Sequence, residues 1–213
     1  MVILGLTGSI GMGKSFAARV FRLLGVPVHD ADAAVHRLLG GGGAAVAAVD
    51  AAFPGVVRDG AVDRRKLGER VFQDAAALAR LEAILHPIVR RATRAWLQCQ
   101  SRRHRPLVVL DIPLLFETGG ERLCDAVVVV SAPPALQAAR VLGRSDMTAA
   151  RFRAILAKQM PDREKRRRAD FVVPTGGSKR ETLRRLAAIV RVMRGRPPRH
   201  WPPRPRPLRG APN

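Results

Sequence analysis

Eight consecutive residues, Gly8-Ser9-Ile10-Gly11-Met12-Gly13-Lys14-Ser15, complete the pattern G-x-x-x-x-G-K-[ST]. Their setting commits the start of the chain to strand, loop and helix. An apolar run, Val2-Ile3-Leu4-Gly5-Leu6, leads in, and Phe16-Ala17-Ala18-Arg19-Val20-Phe21-Arg22-Leu23-Leu24 follows with helical character. That order separates a working phosphate-binding loop from a chance glycine-rich turn. The glycines let backbone N–H groups turn inward around phosphate oxygens, and the following helix adds its positive end. Lys14 can reach the β- and γ-phosphates, and the Ser15 hydroxyl can ligate Mg²⁺. The segment implies binding of a nucleoside triphosphate.

The rest of the chain predicts a parallel α/β sheet of the kind that carries such loops. Strands are expected at Val2–Leu6, Val26–His29, Leu107–Leu110, Ala126–Val130 and Phe171–Pro174. The first helix is expected from Lys14 to Leu24, with Gly25 as its stop. A long helical stretch follows strand two, with pieces at Ala33–Leu39, Ala44–Ala52, Arg64–Val71, Ala75–Ile84 and Ile88–Gln100. Breaks are expected at Gly40–Gly43, Phe53–Gly60 and the His86-Pro87 pair. Ala135–Leu142 and Thr148–Met160 read as a helical pair after strand four, and Lys179–Met193 as the last helix. The fold class is therefore α/β: a P-loop NTPase-type five-stranded parallel sheet flanked by helices, with a helical insertion and a helical lid. Both additions overhang the carboxyl ends of the strands, where open α/β sheets bind ligands.

Composition narrows the functional classes. The 213 residues suffice for one α/β domain with insertions. No apolar stretch approaches the roughly 18–20 residues of a membrane helix. The N-terminus enters strand chemistry without a basic n-region, so no signal peptide and a cytoplasmic location are expected. Cys99 and Cys124 lack metal-type spacing and read as reduced thiols. The formal charge is +21, and 33 of the 38 basic residues are arginine. Nucleic acid is nonetheless disfavoured as a partner: there is no Tyr, and aromatic residues make up only 4%, so stacking platforms are scarce. Polyanionic phosphate substrates explain the charge at least as well. Arg and Pro dominate from residue 195 to 213, and that tail is expected to be disordered.

Three further constellations carry chemistry. In His29-Asp30-Ala31-Asp32 the two carboxylates emerge at the carboxyl end of strand two, beside the phosphate loop. A carboxylate there can accept the proton of an attacking hydroxyl or hold Mg²⁺. Asp32 is the better candidate for the base, and Asp30 for a helix cap or a water-mediated metal ligand. Leu107-Val108-Val109-Leu110-Asp111 is an apolar strand ending in Asp, an arrangement that normally serves Mg²⁺; Pro113-Leu114-Leu115-Phe116 then forms an apolar lip or part of the core. Arg140 and Arg144 share a helix face and, with Arg151 and Arg153, could bring positive charge onto a transferring group. A GTPase is excluded, because Asn213 is the sole Asn and no guanine-reading Asn/Thr-Lys-x-Asp exists. A small-molecule kinase fits best.

Several blocks together give the chain a specific resemblance. They are Gly5 to Ser15, Asp30-Ala31-Asp32, Asp59-Gly60-Ala61-Val62-Asp63-Arg64-Arg65-Lys66-Leu67 and Leu81-Glu82-Ala83-Ile84-Leu85-His86-Pro87. Asp111-Ile112-Pro113-Leu114-Leu115-Phe116-Glu117 and Gln159-Met160-Pro161 through Phe171-Val172 complete the set. In this order and spacing the chain resembles the dephospho-CoA kinases from about Ile3 to Val192. The resemblance implies transfer of the γ-phosphate of ATP, with Mg²⁺, to the ribose 3′-hydroxyl of dephospho-CoA; another small-molecule P-loop kinase is the alternative. It implies Asp32, Lys14 and Arg140 as catalytic residues, and Gly8, Gly11, Met12, Gly13, Lys14, Ser15 and Phe16 at ATP. Ser15 would hold the metal, and Asp32, His86, Asp111, Leu114 and Phe116 would meet the acceptor. Residues 1–30, 104–134 and 170–194 would form the nucleotide-binding core, 31–103 the insertion that binds dephospho-CoA, and 135–169 the lid. Three departures stand out: Phe16 replaces a common Thr, Arg144-Ser145-Asp146 replaces a lid Arg-Asp or Arg-Asp-Gly, and the Arg/Pro tail past Gly195 has no counterpart with an assigned function. Oligomeric state has no signal in the sequence.

Overall fold

A computed structural model describes residues 1–71, 74–145 and 147–202. The chain divides into two compact units, Met1–Val28 with Arg103–Asn213, and His29–Arg102.

The first unit is built on β1 (Val2–Thr7), β5 (Leu107–Asp111), β6 (Ala126–Ser131) and β7 (Phe171–Pro174), with β2 (Val28–Asp30) on the outer edge. The strand order is β2-β5-β1-β6-β7. β1 runs parallel to β5, with Leu6 opposite Asp111, and parallel to β6, with Thr7 opposite Val129. β6 and β7 are parallel as well. Every residue of β1, β5 and β6 is buried. Continuous burial is what a parallel sheet covered on both faces demands, and explains why they are apolar up to their last residues, Thr7, Asp111 and Ser131. Helices α1 (Lys14–Leu23) and α9 (Lys179–Arg194) each turn one face to this core: Ala17, Ala18, Val20 and Phe21 from α1, and Leu186, Ile189, Val190 and Met193 from α9.

Strand two begins later than the sequence suggests. Gly25 takes the left-handed conformation (φ +73°) after α1, as expected of a helix stop. The next amide, Val26 N, donates to Phe21 O at 3.0 Å, which closes the helix end. Val26 therefore serves the helix terminus. The ladder starts with Pro27, whose carbonyl accepts from Val109 N at 2.9 Å.

The second unit contains α2 (Ala31–Leu39), α3 (Val46–Ala52), a short antiparallel hairpin of β3 (Val57–Arg58) and β4 (Ala61–Val62), α4 (Arg64–Val71) and α5 (Ala75–Arg102). Its own core gathers Leu39, Val49, Phe53, Val56, Val62, Leu67, Ala77 and Leu81. Two expectations are corrected here. Phe53–Gly60 is more than a break, because Asp59 (φ 51°) and Gly60 (φ 74°) form the left-handed pair of a tight hairpin turn. Asp-Gly is the dipeptide that such a turn favours.

The second correction concerns Pro87. It does not end a helix, since α5 runs through it without interruption. Leu81, Ile84, Leu85 and Ile88 pack on the same apolar cluster on both sides of the proline, so burial outweighs the lost amide. A proline inside a helix costs about 3 kcal/mol, partly offset by the stiffer unfolded chain. Pro87→Ala, at this exposed position, should therefore stabilise the protein by about 2 kcal/mol. Thermal unfolding followed by far-UV circular dichroism should show a midpoint higher by about 4–8 °C; an unchanged midpoint would show that Pro87 is not strained.

After β6 the first unit carries α6 (Pro134–Leu142), α7 (Ala149–Ala157) and α8 (Asp162–Arg168). The sequence suggests one helix from Thr148 to Met160. Instead Thr148 is the cap of α7, accepting from Arg151 N at 3.2 Å, and the helix ends at Ala157. Pro161 disfavours helical backbone at Met160, and α8 starts afresh behind it. Residues 195–202 contain no helix or strand; Arg199 N donates to Asp125 Oδ1 at 2.5 Å, and His200 N to the same atom at 3.2 Å. The remainder of the expected disordered tail, 203–213, lies outside the described residues.

Candidate active site

The loop between β1 and α1 starts where β1 leaves the sheet, beside the end of β5. Lys14 Nζ lies 2.7 Å from Asp111 Oδ1. The pair is semi-enclosed, with the Lys14 side chain 18% and the Asp111 side chain 3% exposed. An ammonium has three donors, so Lys14 can keep the Asp111 contact while it meets phosphate oxygens.

Three successive carbonyls of the loop are held from outside. Gln137 Nε2 of α6 donates to Ile10 O at 2.8 Å. Arg140 Nη1, also of α6, reaches Gly11 O at 3.4 Å. Thr175 Oγ1, just past β7, donates to Met12 O at 2.8 Å. In a planar trans peptide the C=O and the following N–H point in opposite directions. Holding these oxygens outward thus turns the amides of Gly11 and Gly13 to the other side of the loop. Lys14 and Ser15 open α1, where amides have no intrahelical acceptor. The backbone is arranged as an anion cradle.

Two glycines are sterically required. Gly13 precedes α1 with φ +88°, a left-handed conformation that favours glycine. Gly8 passes so close to β6 that an added Cβ would lie 2.8 Å from Val130 O and 2.5 Å from Val130 Cγ2. Gly8→Ala must move sheet backbone. It should cost about 1–3 kcal/mol and weaken ADP binding; a calorimetric melt and ADP titration both matching wild type would contradict this packing.

The expected arginine contact takes a different form. Arg140 Nη2 donates to Thr175 O at 2.7 Å, and Nη1 lies 3.3 Å from Thr175 Oγ1. Its guanidinium here braces the loop from behind, and a direct phosphate contact would require it to leave these oxygens. Asp146, part of the lid departure, lies outside the described residues. Phe16 is partly buried against the main core, so its ring serves packing, while Ser15 beside it is exposed. Ser15 hydroxyl and Asp111 carboxylate are hard oxygen donors. They suit Mg²⁺, a cation that takes few protein ligands and completes its shell with substrate phosphates and water. No cluster of three or more metal-type side chains exists among the described residues.

Of the apolar lip, Leu114 is exposed at 38% and available to a ligand. Phe116 is buried, with the Arg168 guanidinium 4.8 Å from its ring centroid. The same segment ends in a bond system that the sequence did not reveal. Glu117 Oε1 pairs with the fully buried Lys165 Nζ at 2.9 Å and accepts from Met160 N at 2.8 Å. Burial opposes the Glu117 charge, but Lys165 and the Met160 amide outweigh it and hold the carboxyl below its usual range. Neighbouring Gln159 accepts from Ile10 N at 3.1 Å through Oε1. The Asp111–Glu117 and Gln159–Pro161 blocks thus converge on the phosphate loop. Their only signal in the sequence was the family resemblance.

In the second unit, Asp30 is the cap of α2: its Oδ1 accepts from Ala33 N at 2.9 Å. Asp32 lies in the first turn of α2 and is exposed, which leaves its carboxylate available for chemistry. His29 is buried, with Nε2 3.1 Å from Thr93 Oγ1 and its ring 5.0 Å from that of Trp96. Burial first, and Arg37 second, push its pKa down, and Asp30 only partly compensates. His86 is exposed on α5.

The chain matches the family model described as dephospho-CoA kinase over residues 2–181. A dephospho-CoA kinase of Paramagnetospirillum magneticum is 68% identical over 198 residues, covering 93% of each chain. One from Rhodospirillum rubrum is 60% identical over 195 residues, covering 91% of this chain and 92% of the other. Among solved structures, TT1252 from Thermus thermophilus superposes with a TM-score of 0.80 at 40% identity, over 90% of this chain and 96% of that one.

Proposed function

The chain belongs to the dephospho-CoA kinase family, and from that premise we propose how its residues divide the transfer of the γ-phosphoryl group of ATP to the ribose 3′-hydroxyl of dephospho-CoA. The observation that carries the assignment is the loop itself, with Lys14 paired to Asp111 and three carbonyls turned outward.

Gly8, Gly11, Met12, Gly13, Lys14, Ser15 and Phe16 form the ATP site. Backbone amides and Lys14 bind the phosphates. Asp32 accepts the proton of the 3′-hydroxyl as it attacks. His86, Asp111, Leu114 and Phe116 meet dephospho-CoA, Leu114 through its exposed side chain. Arg140 stabilises the phosphates, by bracing Gly11 as it stands or by direct contact after rearrangement. Residues 1–30, 104–134 and 170–194 act as the nucleotide-binding core, 31–103 as the acceptor-binding insertion and 135–169 as the lid. Ser15 would hold Mg²⁺, which would supply charge neutralisation at the β- and γ-phosphates. No covalent enzyme intermediate is required, since alignment and electrostatic stabilisation suffice for phosphoryl transfer. No helix among the described residues is long and apolar enough to cross a membrane, and the proposed site of action is the cytoplasm.

The test is an acceptor panel with MgATP. Dephospho-CoA should drive ADP release, whereas shikimate and nucleoside monophosphates should leave it near background. Equal turnover with shikimate or a monophosphate would favour a different small-molecule kinase.

A further inference from the structure

We infer that Thr175 is a positioning residue for ATP, acting through its hydroxyl on the Met12–Gly13 peptide of the phosphate loop. The inference rests on the reading of that loop as the triphosphate cradle. Thr175 lies far along the chain from the loop, just past β7, yet its side chain is buried behind it. An added Cβ on Gly13 would fall 3.1 Å from Thr175 Oγ1 and 3.2 Å from its Cβ, so the two residues are in close packing.

The hydroxyl has one proton and two acceptors within reach: Met12 O at 2.8 Å and Ser131 O at 3.3 Å. The shorter contact takes the proton. Arg140 Nη1, 3.3 Å away, donates back to the same oxygen. A cation donating to a hydroxyl polarises it and strengthens its own donation to Met12 O.

The consequence follows from peptide planarity. Met12 C=O and Gly13 N–H belong to one rigid unit. While Thr175 holds the oxygen outward, the Gly13 amide stays turned to the phosphate side. Gly13, at φ +88° and without a side chain, offers little resistance to rotation of that unit. Without the hydroxyl, Met12 O loses its partner, and the peptide can rotate toward water. The amide then leaves the cradle. Thr175 thus sets how much of the loop is preorganised before ATP arrives. It also links the β7–α9 connection and Arg140 of α6 to nucleotide affinity.

The experiment compares two pairs that differ in the hydroxyl: wild type with Thr175→Val, and Thr175→Ser with Thr175→Ala. ADP affinity is measured by isothermal titration, and KM for ATP and for dephospho-CoA by steady-state kinetics. Saturable ADP binding by wild type tests the cradle itself. In each pair, loss of the hydroxyl should weaken ADP and raise KM for ATP by about tenfold, with KM for dephospho-CoA changed less than twofold. Thr175→Ser should stay within about threefold of wild type. A purely packing role would lower the melting temperature and leave the ratio of the two KM values unchanged. Equal ADP affinity within both pairs, or a Ser variant as weak as the Ala variant, would overturn the assignment. The Ser/Ala pair keeps the test decisive if the Val variant does not fold.

Discussion

Asp32→Asn should lower kcat by about 10²–10⁴-fold, the usual contribution of a positioned general base, while ADP affinity stays within about twofold of wild type. The amide matches the carboxylate in size but cannot take the proton of the attacking hydroxyl. Asp32 is exposed in the first turn of α2, and the cap of that helix is Asp30. The substitution therefore removes no buried contact and leaves the helix anchored. Some loss of dipole complementarity at the helix start is expected, worth about 0.3–1 kcal/mol, too little to unfold the protein. Single-turnover kinetics with saturating substrates isolates the chemical step. Turnover within about threefold of wild type would remove Asp32 from the base role. The opposite pairing, Asp30→Asn, should act mainly on stability, since Asn also caps helices.

Lys14→Ala should reduce kcat/KM for ATP by about 10²–10³-fold, the scale seen when one preorganised donor to developing charge is removed. The effect has two sources. The ammonium no longer meets the phosphates, and Asp111 loses a 2.7 Å partner at a site where it is 3% exposed. Removing one member of an enclosed ion pair is costly because the other charge stays behind. Lys14→Ala should thus also lower the melting temperature measurably. Retention of wild-type kcat/KM would contradict the role of Lys14, whatever the melting temperature does. Lys14→Arg separates the two sources: it keeps the charge near Asp111, yet replaces a compact donor with a planar fork. It should recover stability more than activity.

What could be read from the chain depended on how local each constraint is. The phosphate loop was legible because its requirements lie within a few residues: an entering strand, glycines that free the backbone, and Lys14 at the helix start. The buried strands were legible for a similar reason, since Leu107–Leu110 and Ala126–Val130 are apolar without interruption. Pro87 misled because its helical cost is local while the compensating burial of Leu81, Ile84, Leu85 and Ile88 is tertiary. The hairpin at Asp59-Gly60 did have a local signal, the turn dipeptide, but strands of two residues each offer no periodicity. Thr175 and Gln159 were illegible as loop contacts. Each meets the loop from well over a hundred residues away along the chain, and nothing in Pro174-Thr175-Gly176-Gly177 distinguishes a brace from an ordinary turn. For Asp32 the legible signal is the family likeness together with its place after a strand.

The destination of the γ-phosphoryl group defines the reaction. The most direct measurement incubates purified protein with MgATP and dephospho-CoA and identifies the product by mass spectrometry and ³¹P NMR. The expected result is stoichiometric ADP and a product heavier by one phosphoryl group, with a new monoester phosphorus coupled to the ribose 3′ position. ADP formed without any phosphorylated acceptor, or a phosphate placed elsewhere on the molecule, would contradict it.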